Sequence, residues 1–155
     1  MVACRLPLIT ASGTVTVVAE SGYRRVPHTA DVRIEAWAPT REECIAEAVR
    51  GLVDGFAETV GVPASGIHEA DLIEYTDERL LVAVLDEVIY LVDTTGEVPI
   101  DVIVEPTEDG AHLRLTTATL MAAEIIGAAP KAVSTNELRM EQTARGWSCA
   151  VTIDV

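Results

Sequence analysis

The stretch Val32-Arg33-Ile34-Glu35-Ala36-Trp37-Ala38-Pro39-Thr40-Arg41-Glu42-Glu43-Cys44 changes its period in the middle, and that change sets the fold class. From Val32 to Ala38 the side chains alternate with period two, the pattern of a strand with one buried face. Pro39 ends it, and Thr40 with Glu43 forms the T-x-x-E capping box that opens a helix. Cys44, Ile45, Ala48, Val49, Leu52, Val53 and Phe56 follow at steps of one and three, which predicts one apolar stripe on a helix of about 18 residues. Glu42, Glu47, Arg50, Asp54 and Glu58 form the solvated face, and Gly61 and Pro63 are expected to close the helix.

Downstream, Ile67 to Tyr75 is bounded by turn residues and reads as a strand. Asp77 is expected to cap a second helix, Glu78 to Val92, which is apolar almost all round and so should be the more deeply buried. Past Gly96 the pattern is strands: Val98–Glu105, Ala111–Ala118, Met121–Ile126, Ala132–Gln142 and Trp147–Val155, with turns at Glu108-Asp109-Gly110 and Arg145-Gly146. The expectation is a single α+β domain, a largely antiparallel or mixed β-sheet with two helices packed on one face. At the other end, Pro7, Thr10, Ser12 and Gly13 interrupt an apolar run and Thr14 to Val18 alternates. Residues 1–22 are therefore expected to form an extra N-terminal strand or arm rather than a signal peptide, with the domain proper at 23–155.

A chain of 155 residues, 49% hydrophobic, is enough for one core without staples. The 25 acids against 11 bases repel phosphate backbones, so RNA is expected to be contacted only indirectly. The acids are concentrated: Glu35 to Asp109 holds 19 of them against three bases, Arg41, Arg50 and Arg79. A fold that joins the slightly basic ends would be a dipole with one acidic side, suited to a basic partner. Cys4, Cys44 and Cys149 match no disulfide, zinc or redox pattern, which fits a reducing, cytoplasmic setting, and no apolar run has membrane-spanning length. Nothing in the sequence specifies an oligomeric state.

The common enzyme signatures are missing: there is no G-x-S-x-G, Walker A loop, G-x-G-x-x-G or H-E-x-x-H. His28, His68 and His112 are too scattered for a His-only metal site. Asp31, where the chain enters its strand, and Asp154, next to the last residue, carry the chemical interest. In the final strand Asp154 shares a face with Ser148, Ala150 and Thr152, and the carboxylate of Val155 lies within reach. If that strand end lies beside Asp31, three carboxylates converge and repel one another unless a hard divalent cation, Ca²⁺ or Mg²⁺, sits among them. The alternative is that Asp31 caps a turn and Asp154 is a solvated end residue.

Four segments, in order, carry a resemblance to a known family: Pro27-His28-Thr29-Ala30-Asp31-Val32, Leu85 to Gly96 with its Tyr90-Leu91-Val92-Asp93-Thr94 exit, Lys131-Ala132-Val133-Ser134, and the Ile153-Asp154-Val155 ending. They are similar to the corresponding segments of archeases, over about Tyr23 to Val155. The resemblance implies a small cytoplasmic accessory protein, not itself an enzyme, that activates an RtcB-type RNA ligase in tRNA splicing and RNA repair by promoting its guanylylation and multiple turnover. It also implies a metal site at Asp31, Asp154 and Val155. His28, Arg33 and Lys131 are read as candidate partner-facing residues. Arg33 stands where the family usually has Gly, Asn136 where it has His, and Val84 with Asp86 where Trp and Asn are common. Two other readings are a metal-dependent phosphohydrolase using the same carboxylates and a chaperone-like module whose exposed apolar edge near residues 1 to 20 binds other proteins.

Overall fold

A computed structural model describes residues 8–9, 15–16, 20–27 and 31–155. The elements run β1 (Leu8–Ile9), β2 (Val15–Thr16), β3 (Gly22–Pro27), β4 (Asp31–Ala38), α1 (Arg41–Asp54), β5 (Ala57–Glu58), β6 (Gly66–Ile73) and α2 (Asp77–Thr95). They continue with β7 (Glu97–Thr107), β8 (Gly110–Thr119), a 3₁₀ turn (Leu120–Ala122), β9 (Glu124–Ile125), β10 (Ala132–Thr143) and β11 (Gly146–Asp154). All strand pairings are antiparallel. Of the N-terminal arm, β1 pairs with β2; the other residues of that arm up to 19 lie outside the described residues.

The α+β class holds, and the strands divide between two main sheets. One has the order β10-β11-β4-β3 and the other β6-β8-β7, with β5-β9 a separate small pair. Helix α1 packs on β3, β4 and β11 of the first sheet and on β7 of the second; α2 packs on β10 and on β6, β7 and β8. The helices are thus a layer shared by the sheets, each sheet turning one face to them. From the first sheet Ile34, Ala36, Val151 and Ile153 point inward, and from the second Val102, Leu113 and Leu115 do so. A helix that is apolar almost all round needs cover on more than one side, and two sheets supply it.

The first helix begins where the capping box puts it: Thr40 accepts from the Glu43 amide at 3.1 Å. It ends earlier than the apolar spacing suggests. Gly55 is its C-cap, the Phe56 amide donates to the Val53 carbonyl, and Phe56-Ala57 turns away into β5. The stripe still holds, since Phe56 is 1% exposed, but its last member is carried by a turn. The second helix is capped by Thr76, whose hydroxyl accepts from the Arg79 amide, and not by Asp77. Asp77 is its first residue and pairs with Arg41 of α1 at 2.8 Å, tying the two helix starts together. Gly96 ends α2 in the left-handed conformation at φ 67°, which favours glycine. The expected strand Met121–Ile126 is a 3₁₀ turn followed by the two-residue β9. Cys44 and Cys149 are buried free thiols.

Candidate functional site

Strands β4 and β11 run in unbroken register from Ala38 opposite Trp147 to Asp31 opposite Asp154. Directly opposed residues of an antiparallel pair share a face, so the two carboxylates stand side by side, turned away from the helices. On the other side of β11, Ala132 of β10 is opposite Asp154, and the Lys131 amide donates to the Asp154 carbonyl at 2.8 Å. Hydrogen bonding between strands thus gathers Asp31, Lys131, Asp154 and Val155 at one end of one sheet.

The surroundings of the two acids differ. Asp154 is exposed, while Asp31 is half-buried and its Oδ1 is buried with no hydrogen-bond partner among the described residues. A buried carboxylate oxygen without a donor is costly, on the order of 1–3 kcal/mol or more, and a second carboxylate opposite it adds repulsion. A hard cation answers both, because it needs oxygen ligands and cancels charge. Two carboxylates with one unsatisfied oxygen therefore fit a Ca²⁺- or Mg²⁺-like ion, and among the described residues this set holds no His or Cys, as a zinc site would. Among the described residues no group of three or more His, Cys, Asp or Glu side chains is placed to hold a metal. Among the described residues, the main chain of Val155 adjoins Asp154 at this end of the sheet.

The other residues singled out in the sequence have different fates. His28 lies outside the described residues. Arg33 faces the same side as Asp31, and the fold binds it internally: its guanidinium donates to the Thr152 hydroxyl at 3.4 Å and the Glu137 carbonyl at 3.2 Å, and pairs with the Glu137 carboxylate at 3.7 Å. Glu137 sits in the bulge of β10, between Ser134 and Arg139, with φ of 55°. Arg33 therefore clamps an irregular turn of the neighbouring strands. Lys131 is exposed beside Asp154.

Arg25 is the residue that motif reading passed over. Opposite the buried Ile34 in β3, it points inward, whereas Arg24 points out and pairs with Glu35 at 2.6 Å. The Arg25 Nε is buried without a partner beside a cavity of about 70 Å³ lined by Val32, Leu52, Pro130, Ile153 and Val155. The signal for it was the β3 alternation Tyr23-Arg24-Arg25-Val26, which puts one of two adjacent arginines on the inner face.

The archease protein family model matches residues 23–155. The chain belongs to the archease family. A probable protein archease of Mycobacterium tuberculosis is 50% identical over 135 residues, covering 87% of this chain and 75% of that protein. The protein archease of Archaeoglobus fulgidus is 29% identical over 139 residues, covering 86% and 98%. Two solved structures share the fold at 21% identity. The solution structure of Methanobacterium thermoautotrophicum protein 1598 has a TM-score of 0.66, covering 86% of this chain and 98% of that one. The crystal structure of a Thermotoga maritima archease, described as a possible chaperone, has a TM-score of 0.59, covering 85% and 96%. No helix among the described residues is long and apolar enough to cross a membrane.

Proposed function

We propose that this archease is an accessory protein, not itself an enzyme, that activates an RtcB-type RNA ligase in the cytoplasm, using the sheet end that carries Asp31 and Asp154. The observation that carries the reading is the cross-strand pairing of those acids with the Asp31 Oδ1 unsatisfied. Asp31, Asp154 and the main-chain oxygens of Val155 would hold a divalent cation. When bound there, the cation supplies positive charge for phosphate oxygens of the nucleotide in the ligase's own site. Around it the chain contributes position. The β4–β11 ladder fixes the spacing of the carboxylates, and the Lys131-to-Asp154 hydrogen bond holds the start of β10 against the same end. The net charge of −14 supports a protein partner over direct RNA contact. Among the described residues no positioned nucleophile or base accompanies the carboxylates, which favours an accessory role over phosphoester hydrolysis.

The test is the rate of ligase guanylylation from GTP with and without the chain. Stimulation by wild type and none by Asp31→Ala is expected; equal stimulation by both would refute a role for this end. A chaperone-like reading has its own observation: Met121, Ile125 and Ile126 expose apolar surface close together in sequence. Suppressed aggregation of unrelated proteins, without any effect on the ligase, would favour it.

A further inference from the structure

The segment Leu85–Gly96 resembles the family's helix exit. Its outward stripe does not belong to the core. Asp86, Tyr90 and Asp93 lie at i, i+4 and i+7 on α2, one face of the helix, and Tyr90 is 63% exposed although it is aromatic. Ala128 to Lys131 forms the facing wall, and between wall and helix runs an open groove of about 820 Å³ that Val155 also lines. The groove leads to the sheet end that bears Asp31 and Asp154. Past Val155, Ala128 and Pro130, which line both, lies the 70 Å³ cavity beside Arg25.

Charge says what this groove fits. Among the described residues neither Asp86 nor Asp93 has an ion-pair or hydrogen-bond partner, although charged pairs elsewhere in the chain are numerous. Lys131 is the single base in the groove lining. Desolvation raises the Asp86 carboxyl above its ordinary value even though the residue is exposed overall, so the ionised form lacks a compensating charge. An exposed aromatic ring between two unpaired carboxylates suits an arginine or lysine, which can stack on the ring and pair with the acids at once. Tyrosine is also among the residues over-represented at protein–protein contacts.

We infer that the groove between α2 and Ala128–Lys131 is the docking surface for a cationic segment of the partner protein, seated on Tyr90 between Asp86 and Asp93. This rests on the reading of the partner as the RNA ligase, and it assigns the groove the task of holding the partner while the Asp31/Asp154 end reaches the nucleotide site. Binding and activation then separate.

Two variants of the whole chain test it: Asp93→Lys, and Tyr90→Ala combined with Asp86→Asn. Both alter exposed positions. A lysine near the C-terminus of α2, whose last turn has no base, suits the helix dipole, so Asp93→Lys is expected to fold at least as well as wild type. Affinity for the purified ligase is measured by titration at two salt concentrations, alongside guanylylation at saturating chain. Each variant is expected to weaken binding roughly tenfold at low salt, with a smaller loss at high salt, and to restore full stimulation at saturation. Asp31→Ala is expected to show the converse, normal binding without stimulation. Unchanged affinity of both groove variants, with wild type binding and stimulating, overturns the groove alone. Failure of wild type to bind or stimulate overturns the ligase reading, and the groove assignment with it.

Discussion

Replacing Asp31 by Asn should change stability in opposite directions with and without divalent metal. In the metal-free chain, Asp31 opposes Asp154 directly across the β4–β11 ladder, and its Oδ1 is buried without a donor among the described residues. Like charges directly opposite in a sheet cost about 0.2–1 kcal/mol, and a neutral amide of the same shape removes that repulsion. For a domain of this size each kcal/mol moves Tm by about 2–4 °C, so metal-free Asp31→Asn should melt about 0.4–4 °C above wild type. With Ca²⁺ or Mg²⁺ at a hundred times its Kd, wild type gains about 2.7 kcal/mol by linkage, which corresponds to roughly 5–10 °C. The variant, with one anionic oxygen fewer, should lose most of that rise. Thermal unfolding followed by circular dichroism, with chelator and then across a metal titration, gives four melting temperatures whose order reverses between conditions. An equal metal-induced rise in both proteins would place the ion elsewhere. A variant that melts lower than wild type in chelator would show that Asp31 is structural, and the unsatisfied oxygen would lose its meaning.

Three further outcomes follow from packing and charge. Gly51→Ala puts a Cβ at 3.0 Å from both Ile34 Cγ2 and Tyr23 Cδ2; the Tyr23 ring is anchored by its hydroxyl on Asp54. Overpacking of about 1–3 kcal/mol should then outweigh the roughly 1 kcal/mol gained in helix propensity, and a rise in Tm would refute the tight fit of α1 on β3 and β4. Arg33→Ala should speed amide hydrogen exchange at Asn136 to Leu138 by freeing the Glu137 bulge, while lowering stability by less than about 1 kcal/mol, as expected for a pair with one exposed partner; unchanged exchange would refute the clamp. His112, bonded to Asp71 at 2.6 Å and Glu69 at 3.2 Å, has its pKa raised above 6.5 by those two acids. Because the folded value is the higher one, the stabilisation is complete below the unfolded pKa and is lost as pH rises through the folded pKa; an NMR titration should show Asp71→Asn moving His112 back toward 6.5, and no movement would refute the assignment.

Much of the fold was legible because period and capping are local. The strand into Ala38, the Thr40 cap and the hairpin turn before Gly110 need only neighbouring residues to be read. The errors come where backbone direction departs from burial. Phe56 keeps the phase of the α1 stripe, yet Gly55 has already ended the helix, since periodicity reports which side chains are buried and not how the chain carries them there. At Asp77 an acid at a helix start fitted the dipole as well as the cap, and Thr76 took the cap because its hydroxyl reaches the Arg79 amide. Met121–Ile126 looked like a strand for its apolar content, but among its neighbours only the short β5 offers it an edge.

The candidate site was legible only conditionally. Alternation put Asp154 on a face, but no local pattern states that β11 lies beside β4; that pairing is a long-range choice made by the core. The α2 groove was less visible still, because its walls come from segments about forty residues apart. One sequence feature does link fold and site. A helix as apolar as α2 must be covered on nearly every side, and the two sheets leave it a single narrow strip of solvent-facing residues. Within that strip a side chain that served only solubility would be small or charged. An exposed tyrosine between two unpaired acids is neither, and a surface selected only for solvation gives no reason to keep it there.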